Sequence, residues 1–477
     1  MTKTIHLAID LGATSGRSII ATYDGERVDM TELTRFHYPM LPIAGHLHWN
    51  LPYIYQEVLN ALKAAATYIT DHDLPALSSI GIDTWGCDVA YFYADGSLAG
   101  LPYCYRDTHT EGAVEKFSAT KLSKEVVYAT TGIQFMDFNT LFQLNTLREA
   151  GAGVLDAADK ILFMPDALIY MLTGVAVTEF TVASTSQMLN LATGDFDEVL
   201  LEKLGLPRSK FGPMVQPGQE IGTLTPQVQS ATGLGAVKVI AVAGHDTASA
   251  VIGVPTPDER YAYLSCGTWA LFGVESPVHE SGPKALEYNF THEGGIDSTT
   301  RLLKNICGLW IFERVRAEMG LQDADISALA ASCHDSSCQS VINPDDPTFA
   351  NPPSMVDAIT DYCRLHGQEV PETSADFIRV IYRSLACRVG EVLGWLKELS
   401  PVSVDRLHVI GGGSRNSHLM QMLADETSLP VVAGPAECTA LGNVLVQLRG
   451  TGRADSLSRM REIASRSTET VSYTPSK

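Results

Sequence analysis

A short apolar strand, a turn of small polar residues and a returning strand occur near the start of this chain and again just past its middle. Thr4 to Ile9 reads as the first strand, Asp10-Leu11-Gly12-Ala13-Thr14-Ser15-Gly16-Arg17 as the turn, and Ser18 to Tyr23 as the return. The same grammar recurs as Tyr261 to Leu264, Ser265-Cys266-Gly267-Thr268 and Trp269 to Val274. Two such hairpins in a chain of 477 residues predict two related α/β halves rather than one oversized core. The stretch Val254-Pro255-Thr256-Pro257-Asp258 reads as a linker, which sets the expected domains at 1–253 and 254–477.

Between the hairpins the apolar spacing turns helical. Pro52 to Ile69 keeps Ile54, Val58 and Leu62 on one stripe with proline near its start, and Asp376 to Leu399 carries a longer stripe through Phe377, Val380, Ile381, Leu385, Val392 and Leu396. Strands are expected to run into loops at Ser79 to Asp83, Lys238 to Gly244 and Leu407 to Ile410. The polar tail after about Ser465 is expected to be loosely held.

Composition narrows the function classes. Charged residues at 19% and hydrophobic ones at 45% match a globular soluble protein, and no apolar run approaches the roughly 18 residues of a membrane span. An acidic residue, Asp10, arrives before a signal-peptide core, so a cytoplasmic location is expected. The nine scattered cysteines fit buried thiols in a reducing compartment. A formal charge of −21 argues against nucleic acid. An anionic ligand would then need local attraction from backbone N–H groups, a few cations and a metal ion.

The first turn offers small residues whose backbone can approach phosphate oxygens, and Asp10 stands where it could hold Mg²⁺. It is not a Walker loop, and a strand rather than a helix follows, so it is not a dinucleotide fingerprint. A plain Gly-rich hairpin remains the alternative. The second turn repeats the chemistry with Gly267 and Thr268. The apolar strand expected over Lys238 to Val242 runs into a turn, and in Ala243-Gly244-His245-Asp246-Thr247-Ala248-Ser249-Ala250 a small-residue helix starts at about Thr247. Asp246 is either an ordinary helix cap or a carboxylate placed to accept an alcohol proton. Gly411-Gly412-Gly413 strips side chains from a turn where a flat ligand could lie, with Asn416 either capping the next helix or contacting a base or ribose. Trp85, with Asp83 and Asp88 on either side, is either a sugar platform or a core residue, and Tyr105-Arg106-Asp107 is a similar candidate. His46 and His48 share a strand face but show no third metal ligand, so they read as an ordinary strand pair.

In order along the chain, these motifs resemble the FGGY carbohydrate kinases of the actin-like ATPase superfamily. The resemblance runs from Ile9 to about Gly450 and is carried by Asp10 to Arg17, Gly81 to Asp88, Gly132-Ile133-Gln134, Phe138-Asn139-Thr140, His245 to Val251, Leu302-Leu303-Lys304-Asn305-Ile306 and Gly411 to Gly413. It is narrowest to the branch that phosphorylates L-rhamnulose. It implies two actin-like, ribonuclease H-like α/β domains with an active-site cleft between them, the first for sugar and the second for nucleotide. It further implies ATP-dependent phosphorylation of L-rhamnulose at O1 with Mg²⁺. L-Fuculose is the alternative sugar, and an actin-like ATPase without sugar transfer is a more distant one.

The resemblance assigns Ala13, Thr14, Ser15, Gly16, Arg17 and Thr268 to the ATP phosphates and Gly412 to the nucleoside. Gly86, His245, Asp246, Thr247 and Asn305 line the sugar site, Asp246 is the proton acceptor, and Asp10 organises the metal. Small-molecule partners only are expected, with no nucleic acid and no membrane, for a monomer or homodimer. Cys266, His292 and Asn50 depart from the family pattern, and Glu313 stands where a nucleotide-contacting Gln can occur.

Overall fold

The computed structural model describes residues 3–256, 258–279 and 281–476, so Pro257 of the expected linker lies outside the described residues. The chain divides into two compact units. The first holds Met1–Pro257, Pro277–Arg301 and Cys438–Ser467; the second holds Asp258–Ser276, Leu302–Glu437 and Thr468–Lys477. The polypeptide therefore crosses from one unit to the other several times.

In the first unit the strands Thr4–Leu11 and Ser15–Tyr23 pair antiparallel, as the hairpin reading expects. They belong to a mixed six-stranded sheet in which Lys238–Ile240, Leu77–Thr84 and Thr4–Leu11 lie side by side and parallel. Every residue of Thr4–Leu11 is buried because both faces of the sheet are covered. Alternation sorts its side chains. Ile5, Leu7, Ile9 and Leu11 enter one core with Ile54, Val58 and Leu62 of the Leu51–Asp71 helix. Ala8 enters another with Leu441, Val444, Leu445 and Leu448 of the Cys438–Gly450 helix. Asp10 and Asp83 fall on this second face. Asn50, where the family pattern favours Asp, caps the Leu51–Asp71 helix by accepting from the Tyr53 N–H at 3.2 Å.

In the second unit the Tyr261–Cys266 and Trp269–Ser276 strands form the second hairpin. Arg406–Ile410 and then Val431–Ala433 continue the sheet in parallel beside Tyr261–Cys266. The Ser374–Leu399 helix starts at a capping box of Thr373 and Asp376 and buries the expected stripe.

Two expectations fail. The strand at Lys238 ends at Ile240 rather than Val242, because the following backbone bonds to Gln219 and Gly218 and then to Thr84. The tail is not loosely held. The Leu457–Ser467 helix sets Met460, Ile463 and Ala464 in a core, and Val471–Tyr473 pairs antiparallel with Val431–Ala433. The Ser476 N–H then donates to Asp425 Oδ1 at 2.7 Å.

Candidate active site

Three carboxylates stand at the carboxyl ends of the three adjacent parallel strands of the first unit, a usual place for chemistry in open α/β sheets. Asp10 and Asp83 are register partners on neighbouring strands. The backbone after Ile240 returns beside Thr84, whose N–H donates to Gly244 O at 2.9 Å, and this delivers Asp246 as the third. The groups sense one another. Burial first, then the charges of Asp10 and Asp246, push Asp83 well above the ordinary carboxylate range. Asp246 is raised as well, chiefly by burial, with Asp10 adding to the rise and His245 opposing it. Tyr38 is raised by burial first, with the charges of Asp10, Asp246 and Asp83 adding to the rise.

Asp246 is the first residue of the Asp246–Ile252 helix rather than its cap, which is His245. Its Oδ1 accepts from the Thr247 N–H at 2.6 Å and the Thr247 hydroxyl at 3.2 Å. Among the described residues the carboxylate caps no N–H beyond Thr247, so the helix-cap alternative does not account for it. The side chain keeps 29% of its surface exposed, enough for a substrate hydroxyl to reach it.

A buried ion pair holds the neighbour of Asp246. Arg301, only 1% exposed, lies with Nη1 3.0 Å from Glu293 Oε2 and donates from Nε to Gly294 O. His245 Nδ1 is 3.2 Å from the same Glu293 oxygen and 3.3 Å from Arg301 Nη2, and its Nε2 is 3.4 Å from Asp246 Oδ1. Burial alone would raise the Glu293 carboxyl, but Arg301 and then His245 more than offset it and hold it below the usual range. The imidazole thus lies between a buried pair and the partly exposed carboxylate.

The first turn is pinned from outside. The Tyr38 hydroxyl donates to Gly12 O and, at 3.0 Å, to Ser15 O. Thr14 is exposed at the tip, with Ala13 and Ser15 half-buried beside it. A side chain at Gly16 would meet Leu11 Cδ2 at 2.5 Å and the Phe36 ring at 2.6 Å, so that glycine serves packing under the turn. Arg17 Nε and Nη2 donate to Asp10 Oδ2 at 2.9 and 2.7 Å. The cation expected at phosphate and the carboxylate expected at metal are therefore partners in this structure.

The sugar platform reading of Trp85 fails. Its ring is 5% exposed and packs on Trp49 at 4.4 Å, inside a core that also holds Tyr38. Asp88 is its buried anchor, accepting from Trp49 Nε1 at 2.6 Å, Trp85 Nε1 at 2.9 Å and Gln143 Nε2 at 2.8 Å. Burial raises the Asp88 carboxyl to about 6 against those donors. Gly86 stays half-exposed, and a Cβ there would stand 2.8 Å from Thr185 Oγ1. Asp107 is buried and accepts from the Leu47 N–H at 2.6 Å while lying against His46 and His109. His46 and His48 form a short strand, the His48 ring packing on Tyr103 at a 47° tilt with centroids 4.4 Å apart.

In the second unit Thr268 and Gly267 accept the Trp310 and Leu309 N–H groups, so the second turn seats the start of the Trp310–Glu318 helix. The three glycines divide by role. Gly411 has φ +82°, a Cβ at Gly413 would collide with the Cys266 sulfur, and Gly412 alone is exposed with nothing nearby. Asn416 caps the Ser417–Thr427 helix, accepting from the Leu419 N–H at 3.1 Å. Asn305 is half-buried on the Thr300–Cys307 strand, next to Lys304, whose amine burial pushes down to about 8. Glu313 pairs with Arg316 at 2.9 Å. In the first unit His292 is buried against Gly132, donating its N–H to Gly132 O.

Asp83 is the site residue that reading by loops undervalued. Its Oδ2 accepts from Asn443 Nδ2 at 2.5 Å, while its Oδ1 is buried with no hydrogen-bond partner among the described residues. The signal was present: Ile80-Gly81-Ile82-Asp83 repeats the apolar strand ending in aspartate of Leu7-Ala8-Ile9-Asp10. An orphaned carboxylate oxygen among like charges, all hard oxygen donors, fits a Mg²⁺ site, which Asp10 and Asp83 would hold.

Residues 5–253 match the N-terminal domain of the FGGY family of carbohydrate kinases, and residues 262–451 match its C-terminal domain. The chain is 49% identical over 476 residues to a rhamnulokinase of Bacteroides thetaiotaomicron, covering 99% of this chain and 96% of that one. It is 36% identical over 472 residues to a rhamnulokinase of Bacillus subtilis, covering 99% and 95%. Solved structures share the fold at lower identity. A gluconate kinase from Lactobacillus acidophilus superposes with a TM-score of 0.82 at 16% identity, covering 99% of this chain and 94% of that one. Plasmodium falciparum glycerol kinase with ADP gives 0.80 at 16%, covering 100% and 94%. With both of its domains matched, this chain belongs to the FGGY family of carbohydrate kinases.

Proposed function

We propose that this chain transfers the γ-phosphoryl group of ATP to O1 of L-rhamnulose, giving L-rhamnulose 1-phosphate and ADP in the use of L-rhamnose. The observation that carries the reading is Asp246. It is a partly exposed carboxylate of raised basicity, oriented by Thr247 and His245, beside two further carboxylates at the strand ends. Relatives at 35 to 49% identity that carry the name rhamnulokinase supply the sugar.

In the proposed reaction the ketose O1 forms a bond to the γ-phosphorus as the bond to the bridging oxygen of ADP breaks, and the O1 proton passes to Asp246. His245, braced by Glu293 and Arg301, keeps that carboxylate aimed and favours its ionised form. Asp10 and Asp83 hold Mg²⁺, which supplies neutralisation of phosphate charge when bound. The turn at Ala13 to Arg17 and Thr268 receive phosphates, Gly412 the nucleoside, and Gly86, His245, Thr247 and Asn305 the sugar. In this reading residues 1–253 carry the first phosphate turn, Asp246 and most of the sugar site, and residues 254–477 carry the nucleotide site and add Asn305 for the sugar.

No helix among the described residues is long and apolar enough to cross a membrane. In the proposed setting the protein acts in the cytoplasm on small molecules, as a monomer or homodimer. A coupled ADP-release assay over a ketose panel tests the reading. Turnover with L-rhamnulose, and a 1-phosphate product by phosphorus NMR, are expected. ADP release without sugar, or a higher kcat/KM for L-fuculose, would overturn it.

A further inference from the structure

Outside the kinase site, the second unit brings together three soft and borderline metal ligands that the proposed reaction does not use. Cys333 Sγ and ring nitrogens of His334 and His418 all lie within 4.8 Å of one another. His334 Nε2 and His418 Nδ1 are 2.6 Å apart, with the rings 4.5 Å between centroids and crossed at 74°. We infer that Cys333, His334 and His418 form a binding site for a divalent cation of the zinc class.

The framework is held on several sides. Cys333 and His334 occupy a single 3₁₀ turn directly after the Ile326–Ser332 helix. Arg379 on the Ser374–Leu399 helix donates to Cys333 O at 3.2 Å, and Ser336 donates to Asp376 at 2.5 Å. His418 lies in the first turn of the Ser417–Thr427 helix, whose cap is Asn416. The thiol is buried and the His334 ring exposed, so an ion has an open approach and a recessed anchor. Among the described residues no carboxylate lies within ion-pair distance of either ring, so the imidazole pair is not part of a salt bridge. Ring nitrogens this close direct one N–H at the other's lone pair, and a cation can replace that proton when the donor ring alone takes its other tautomer and the two nitrogens part slightly to ligand spacing.

One thiolate and two imidazoles are a donor set for Zn²⁺ or Co²⁺, not for Mg²⁺, with solvent completing a tetrahedral shell. Binding forms one metal–sulfur and two metal–nitrogen bonds and releases the thiol proton to solvent.

Co²⁺ titration of the nucleotide-free full-length chain tests the site. Saturable uptake with intense tetrahedral visible bands and a sulfur-to-cobalt charge-transfer band is expected, with Zn²⁺ displacing the cobalt. The carboxylates of the first unit offer only oxygen and give no such charge-transfer band. Cys333→Ser should abolish that band, and His418→Ala should weaken uptake by at least about 100-fold. Because His334 is exposed, His334→Ala should leave the melting temperature unchanged and still lose the tetrahedral spectrum. A His334→Ala protein with the wild-type spectrum, or a wild-type protein with no charge-transfer band, would overturn the inference.

Discussion

Replacing Glu293 by Gln keeps the shape of the side chain and removes its charge, leaving Arg301 buried at 1% exposure with no counter-charge. Breaking a buried pair from one side typically costs about 3–5 kcal/mol, because the remaining ion stays desolvated. With a urea m-value of about 3 kcal/mol per molar, the midpoint of the first unit's unfolding should fall by about 1–1.7 M. The sign with pH follows from the depressed Glu293 carboxyl. Its contribution is full above the ordinary value of 4.5 and is lost as pH falls through the lower folded value, so the gap to Glu293→Gln narrows only in acid.

The double variant Glu293→Leu with Arg301→Met separates architecture from chemistry. Removing both charges for apolar groups of similar size should recover most of the stability, since replacing a buried pair is often neutral. Turnover should not recover, because His245 Nδ1 has then lost both neighbours that fix its ring beside Asp246. A fall in kcat of about tenfold, equal to about 1.4 kcal/mol of lost positioning, is expected in single and double variants alike. Urea unfolding and steady-state kinetics read the two effects on the same samples. A Glu293→Gln midpoint shift under about 0.3 M, or full kcat in the double variant, would refute the positioning argument.

Asp246→Asn should lower kcat by roughly 10²- to 10⁴-fold in the coupled assay while the protein still binds L-rhamnulose. Because Asp246 must be ionised to accept a proton and its pKa is raised, the acid limb of the kcat/KM profile should lie above the ordinary 3.8. His245→Asn should move that limb to higher pH, since His245 opposes the rise of the Asp246 pKa. Gly412→Val should raise the KM for ATP at unchanged stability, since nothing lies near its Cβ. Gly413→Ala, which forces a methyl onto Cys266, should cost about 1–3 kcal/mol in denaturant unfolding. Asp83→Asn should raise the Mg²⁺ concentration for half-maximal rate by about tenfold or more.

What was legible in the sequence was whatever local pattern encodes. The hairpins, the Leu51–Asp71 and Ser374–Leu399 helices and the helix onset near Asp246 all follow from spacing and caps within one segment. The sequence does not choose between platform and core for Trp85, because burial is a property of neighbours. The core that takes it in draws Tyr38 and Trp49 from other segments, and Asp88 turned inward to satisfy two indole N–H groups. The three-residue strand at Val471 carries almost no periodicity of its own and exists because Val431–Ala433 offers an edge. The division of labour among Gly411, Gly412 and Gly413 depended likewise on where Cys266 lies across the fold.

The clustered carboxylates set function against stability within the first unit. Asp83 and Asp246 have folded pKa values above the ordinary 3.8, so each favours the folded state in acid and loses that contribution as pH rises through its folded value. Ionising the strand ends therefore sets like charges against one another, in a chain that already carries −21. The Cys438–Gly450 helix offsets part of that repulsion from the far end of the sequence. Asn443 donates to Asp83 at 2.5 Å, and Gln447 donates to Asn443 Oδ1 at 2.7 Å and to Leu7 O at 3.0 Å. Ser79 in turn donates to Gln447 Oε1 at 2.7 Å. Gly81 is what lets this network reach the sheet, because a Cβ there would meet Asn443 Oδ1 and Val242 Cγ1 at 2.5 Å. A helix lying beyond the glycine turn in sequence therefore belongs to the first unit for a chemical reason. Its amides hold Asp83 in place beside Asp10 and leave one carboxylate oxygen without a protein partner, for a cation to use.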